Sequence, residues 1–196
     1  MRIVQLDKET KKNILSDLLK RDPNQYGEYE ATVKEIVENV RHNGDEALKE
    51  YTLQFDHTEL DTRKMLVSDD EIAEAESLVD PELKQVMQKS LENIRNYHKK
   101  QLRTSWFDAQ PNGTILGQKV TPLTRVGVYV PGGKAAYPSS LLMNAVPAIV
   151  AGVSEIVVCT PAVGGVVNEL LLAAMYVLGI KNAYKIGGAS AIAMMA

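Results

Sequence analysis

The chain has 196 residues, 45% hydrophobic and 24% charged, an ordinary globular composition with enough length for one large domain or two small ones. A net charge of −3 with no lysine or arginine block argues against nonspecific nucleic-acid binding. No run of about 18 apolar residues and no apolar core in MRIVQLDKET predict a membrane span or signal peptide, and the single Cys159 excludes an internal disulfide, so a cytoplasmic protein is expected.

Residues 1–110 carry 17 Lys/Arg and 23 Asp/Glu, against 5 and 2 in 111–196. The first part should therefore present long solvated faces and the second should be mostly buried. The break falls at Asp108-Ala109-Gln110-Pro111-Asn112-Gly113, a turn-rich stretch that predicts a helical region over 1–110 and an α/β domain over 111–196.

Val33, Ile36, Val37 and Val40 lie at helical spacing and stop at Asn43-Gly44. Asp45 is placed to cap the next helix, with Ala47, Leu48, Tyr51 and Phe55 along one face. Ser68 and Glu71 form a capping-box pattern for a third helix. Asp80-Pro81-Glu82 then opens a long one: a cap, a proline at the first helical position and an acid in the first turn. Leu83, Val86, Met87, Leu91, Ile94, Tyr97 and Leu102 are its expected apolar stripe, and Trp106 and Phe107 read as a packing anchor after it.

Beyond Pro111 the period changes. Thr114-Ile115-Leu116 and Gln118-Lys119-Val120 look like a short extended pair around Gly117. Val126–Val130 is a continuous apolar strand ended by Pro131-Gly132-Gly133; a helix follows from about Ser139, with Leu141, Leu142, Ala145, Val146, Ile149 and Val150 facing inward. Glu155–Cys159 is a second strand, Asn168–Leu178 a helix ended by Gly179, and Ala183–Ile186 a third strand before Gly187-Gly188. Strands alternating with helices imply right-handed βαβ units and a parallel sheet, whose ligands bind beyond the carboxyl ends of the strands. The loops there begin at Pro131, Thr160 and Gly187.

Pro131, Gly132 and Gly133 therefore occupy a ligand-binding position, and the helix start near Ser139 and Ser140 offers N–H groups to an anion. The loop is not a Walker A motif: Gly133 stands where lysine is required, and Ala135 follows Lys134 where Ser or Thr would hold magnesium. No G-x-G-x-x-G occurs either. From the residues alone, a ligand-binding edge and a plain strand-to-helix turn remain equal alternatives. His42, His57 and His98 each lack a Cys or second His at ligand spacing, so no metal site is expected. Cys159, without a nearby His, reads as a buried structural thiol and not as a nucleophile. No Ser/His/Asp set or working carboxylate pair is visible.

The stretch LGQKVTPLTRVGVYVPGGKAAYPSSLLMNAVPAIVAGVSEIVVCTP, residues 116 to 161, resembles the signature region of histidinol dehydrogenases. ALKEYTLQFD (47 to 56), NIRNYHKKQ (93 to 101) and YKIGGASAIAMMA at the end resemble the same family. The resemblance implies an α/β fold, here a helical region followed by an incomplete Rossmann-like parallel sheet. It implies a zinc- and NAD-dependent homodimer that oxidises L-histidinol to L-histidine with two NAD+. Tyr129 matches the family's NAD-contacting tyrosine, and Ser190 stands where the family usually has an NAD-contacting glutamine. A serine there is shorter and hydrogen-bonds differently. The family's Glu-His acid/base pair and its zinc ligands belong to a later part, so no catalytic or metal residue is assigned here. The chain is thus expected to be an N-terminal portion, inactive by itself. The alternative is a non-catalytic nucleotide-binding or interaction module derived from that family.

Overall fold

A computed structural model describes residues 7–12, 26–61, 64–132 and 136–196. Gly133, Lys134 and Ala135 of the first loop lie outside the described residues. The elements are α1 (Gly27–Asn43), α2 (Asp45–Asp56), α3 (Asp69–Leu78), α4 (Pro81–Lys99), β1 (Trp106–Ala109), β2 (Ile115–Gln118), β3 (Arg125–Tyr129), α5 (Pro138–Ala151), β4 (Glu155–Cys159), α6 (Glu169–Leu178), β5 (Asn182–Tyr184) and α7 (Gly188–Met195). Among the described residues no helix is long and apolar enough to cross a membrane.

The expected α/β architecture is present. β3, β4 and β5 form a parallel sheet in the order β3-β4-β5, with Val128 beside Val158 and Ala183, and Tyr129 beside Cys159 and Tyr184. Because side chains alternate along a strand, these two rows belong to opposite faces. Val128, Val158 and Ala183 join the main core, where α5 and α6 pack on the sheet and α3 packs on α6. Cys159, Tyr129 and Tyr184 face a second cluster with Ile36 and Val40 of α1, Leu48 and Tyr51 of α2, and Ala191 of α7. The helical region thereby covers part of the second sheet face.

Local signals in the first part work as anticipated at two helix starts. The Ser68 hydroxyl accepts from Glu71 N at 3.2 Å while the Glu71 carboxylate accepts from Ser68 N at 2.9 Å, a reciprocal capping box. Asp80 accepts from Glu82 N at 2.7 Å. Asp45 does not cap α2: Gly44 holds both the end of α1 and the start of α2, at φ 53° and ψ −125°, with no side-chain cap. One glycine in a conformation that side chains disfavour turns the chain between the two helices, leaving no room for a separate capping residue.

Several apolar stripes are narrower than their spacing suggests. Phe55 is exposed and stacks on Tyr51, and of the α4 stripe only Met87 and Leu91 are buried, whereas Leu83, Val86, Tyr97 and Leu102 are exposed. Periodicity marks which residues share a face, but not how much of that face a neighbour covers. The extended pair around Gly117 is also corrected. Gly117 lies inside β2, and β2 pairs antiparallel with β1, so Trp106 and Phe107 are strand residues and are exposed instead of anchoring a core. Asn112-Gly113, with Gly113 at φ 85°, makes the hairpin turn where composition breaks.

Candidate functional site

The three strands deliver their following loops to one edge of the sheet. Pro161, after β4, is wedged between the other two. A Cβ on Gly132 would lie 2.6 Å from Pro161 Cγ, and one on Gly187 would lie 2.6 Å from Pro161 Cβ. Glycine is required at both positions because the rigid Pro161 ring comes that close. Thr58, distant in sequence, secures the middle loop: its hydroxyl accepts from Gly164 N at 3.0 Å, and its one proton is shared between Asp56 O at 3.0 Å and Ala162 O at 3.1 Å.

Tyr129 ends β3 with its ring half-buried in the second cluster. Its hydroxyl accepts from Gly188 N at 3.1 Å. Gly187, the residue before α7, supplies no side-chain cap, so this phenol partners one of the helix's otherwise orphaned first-turn amides. A phenol that accepts one bond still has its own proton to donate. Ser190 sits in the same first turn but is only 5% exposed, and its hydroxyl donates to Gly187 O at 2.9 Å. The one hydrogen it could offer a ligand is turned into the protein.

Pro131 and Gly132 line a neighbouring cleft of about 410 Å³, walled by Tyr137, Pro161, Val163 and Asn168. Tyr129 and Ser190 do not line it, so the residues singled out from the sequence fall into two adjacent groups at one sheet edge. The expected anion site at the start of α5 is poorer than the sequence suggests. Pro138 has no N–H, and the Ser140 N–H donates to Tyr137 O at 3.1 Å. At α6 the Asn168 side chain accepts from Leu170 N at 3.0 Å, so that helix start is capped by the protein itself. Pro161, Thr58 and Asn168 were not singled out as site residues. Only the cap has a local signal; the wedge and the Thr58 bridge join residues far apart in the chain.

Cys159 is buried beneath this edge, and desolvation pushes its thiol up to about 11. At pH 8 only about one thiol in a thousand is then ionised, and the residue, 1% exposed, sits at the inner wall of a hollow of about 320 Å³. Native protein should leave Cys159 unmodified by a thiol-specific disulfide reagent, whereas protein in guanidinium should titrate one thiol per chain. Rapid native labelling would show that the site opens.

Among the described residues no group of three His, Cys, Asp or Glu side chains is placed to hold a metal. His42 Nδ1 lies 2.7 Å from Glu38 O, His98 Nδ1 lies 2.7 Å from Gln101 Oε1, and His57 ends α2 at φ 52°.

Comparison with known proteins agrees with the fold. The sequence profile described as Histidinol dehydrogenase matches residues 19–196. A histidinol dehydrogenase of Sulfurimonas denitrificans is 49% identical over 181 residues, covering 92% of this chain and 42% of that protein. One from Bacillus subtilis is 51% identical over 170 residues, covering 86% of this chain and 39% of its own length. A crystal structure of histidinol dehydrogenase from Elizabethkingia anophelis superposes with a TM-score of 0.78 at 32% identity, over 100% of this chain and 40% of that one. The chain therefore spans about two fifths of the length of these relatives. With its parallel sheet, glycine-framed edge and match over residues 19–196, the chain belongs to the histidinol dehydrogenase family.

Proposed function

We propose that this chain is an N-terminal portion of a histidinol dehydrogenase that contributes a nicotinamide-dinucleotide edge to the oxidation of L-histidinol to L-histidine by two NAD+. The observation that carries this reading is the Tyr129 hydroxyl, fixed by Gly188 N at the carboxyl end of β3, with no acceptor for its own proton among the described residues. A nicotinamide dinucleotide held at this edge would supply the hydride-accepting chemistry for the oxidation. The chain's own part is positional. Tyr129 presents a ring edge and a hydroxyl, and Pro131 and Gly132 line the cleft beside it. Ser190 is a weaker candidate, because its hydrogen is committed to Gly187 O.

The described residues do not fit a zinc site, since they offer no cluster of donors, and no step through zinc is assigned to them. The reading therefore places zinc, the acid/base residues and the homodimer with the longer protein, in the cytoplasm. Purified residues 1–196 should form no NADH from L-histidinol with zinc and NAD+ supplied; turnover would overturn the assignment.

In the complete enzyme, Tyr129→Phe should weaken NAD+ binding about tenfold, the value of one hydrogen bond of roughly 1.4 kcal/mol, and leave bound zinc unchanged. Equal losses of both would make Tyr129 a folding residue. A non-catalytic nucleotide-binding module would bind NAD+ through Tyr129 without L-histidinol oxidation in any length of chain.

A further inference from the structure

The edge formed by the three strand ends is held from outside by the connection that follows α2. His57, the one non-glycine residue at positive φ among the described residues, ends α2 at φ 52° and ψ 34°. A side chain disfavours that conformation, which persists where neighbouring contacts fix it. The next residue, Thr58, is half-buried, and its hydroxyl meets both Ala162 O and Gly164 N in the loop after β4. The connection is itself anchored at both ends. α2 sits in the second cluster through Leu48 and Tyr51, and Leu60 packs against that cluster. At the far end Lys185 N donates to Met65 O and Val67 N to Ala183 O, each at 2.8 Å, so residues 65–67 are fastened to β5. Thr58 therefore reaches the loop from a fixed base, as a group that positions another must.

The loop needs such a tie. Gly164 and Gly165 stand at φ 65° and 80°, and two successive glycines leave a turn a wide conformational choice. Inside the turn Gly165 N donates to Ala162 O at 3.0 Å; from outside, Thr58 takes up the Gly164 N–H. Pro161 directly precedes Ala162, and its ring stands between Gly132 and Gly187. Gly187 leads into Gly188, whose N–H donates to the Tyr129 hydroxyl at 3.1 Å. Close-packed groups transmit displacement, so a shift of this loop reaches both glycine strand ends and, through Gly188, the phenol. Thr58 does not line the cleft bordered by Pro131, Gly132 and Pro161, and it acts on a ligand there only through the loop.

We propose that Thr58 is a positioning residue for the dinucleotide edge. It fixes the loop over residues 161–164, and Pro161 passes that constraint to Gly132, to Gly187 and to the hydrogen bond between Gly188 and Tyr129. The proposal rests on the reading of this edge as a nicotinamide-dinucleotide site. It makes the helical region, which supplies no residue to the cleft, part of what sets NAD+ affinity.

In the complete enzyme, Thr58→Val keeps the branched shape and removes the hydroxyl, and NAD+ affinity should fall about five- to tenfold. KM for L-histidinol and bound zinc should not change, and Thr58→Ser should restore NAD+ affinity. Pro161→Ala should weaken NAD+ binding by a similar factor. Adding Thr58→Val to it should cost no more than about twofold further, because both changes act on one loop. In residues 1–196, NMR hydrogen exchange should show the Gly188 amide exchanging about fivefold faster in Thr58→Val and at the natural rate in Thr58→Ser. Unchanged NAD+ affinity or unchanged Gly188 exchange in Thr58→Val would overturn the proposal. So would parallel losses of NAD+, zinc and L-histidinol binding, which make Thr58 a general stability residue, or fully multiplicative losses in the double variant, which give it a separate route. A natural enzyme that binds no NAD+ would instead sink the functional reading, and the Gly188 exchange rate would still decide the coupling.

Discussion

Glu71→Ala is expected to destabilise the fold by about 2 kcal/mol, well beyond an ordinary surface substitution, because one carboxylate performs two tasks. One oxygen closes the capping box on Ser68 N at 2.9 Å, and the other pairs with Lys185, an ammonium in a side chain only 11% exposed. Ser68 still caps the main chain of residue 71, and loss of the carboxylate's bond from Ser68 N costs about 1 kcal/mol. The rest is the cost of leaving Lys185 unpaired, reduced because the Glu71 side chain is 37% exposed and water can partly replace it. Glu71→Gln keeps the cap geometry and removes the charge, so it should lose about half as much in urea denaturation. An alanine variant no worse than glutamine would leave the cap without energetic weight.

The same residue sets a pH dependence. Burial raises the Glu71 carboxyl, but the Lys185 hydrogen bond and Ser68 N–H outweigh it, and the net value lies below the ordinary 4.5. A folded value below the unfolded one contributes stability that is complete above the unfolded value and is lost as pH falls through the folded one. The stability gap between the natural protein and Glu71→Gln should be constant near neutrality and shrink in acid below 4.5. A gap that widens in acid would reverse the assigned sign.

Gly187→Ala should be the most damaging small substitution at the candidate edge. Gly187 has φ −126° and ψ 179°, an extended backbone open to any residue, so backbone strain contributes nothing. The whole effect is steric, since the new Cβ would lie 2.6 Å from Pro161 Cβ and 3.2 Å from its Cα, atoms of a rigid ring and the main chain. Overpacking of this kind costs about 2 to 3 kcal/mol, or about 5 to 10 °C in Tm for a chain of this size. Gly188→Ala next door makes no contact within 4 Å and suffers only from φ +66°, so it should cost about 1 kcal/mol. Equal thermal shifts for the two variants would mean that Pro161 moves aside freely.

Much of the fold was legible because it is specified by neighbours in the chain. Ser68 with Glu71, Asp80-Pro81-Glu82 and the apolar run Glu155–Cys159 each carry their own stop or start signal, and the structure places elements there. The β1–β2 pairing was not legible. Trp106 and Phe107 read as an anchor because aromatic residues suggest burial, and Asp108-Ala109 as part of a turn, whereas the partner Ile115–Gln118 divides at Gly117 in the sequence. That glycine is mid-strand because the Phe107 ring crosses it, a relation between residues on different strands that no single run of sequence displays.

By itself the sequence determined the family, the alternation of strands and helices, the Ser68 and Asp80 helix caps and the strand-end position of Tyr129, read from runs of neighbouring residues. Only the tertiary structure decided that Pro161 forces glycine at 132 and 187, and that Thr58 ties down the second loop. It also decided that Ser190 spends its proton on Gly187 O and that Tyr129 spends a lone pair on Gly188 N. Close approach and the pairing of donors with acceptors are properties of atoms brought together from distant positions, and the chain acquires them only when the three strand ends meet at one edge.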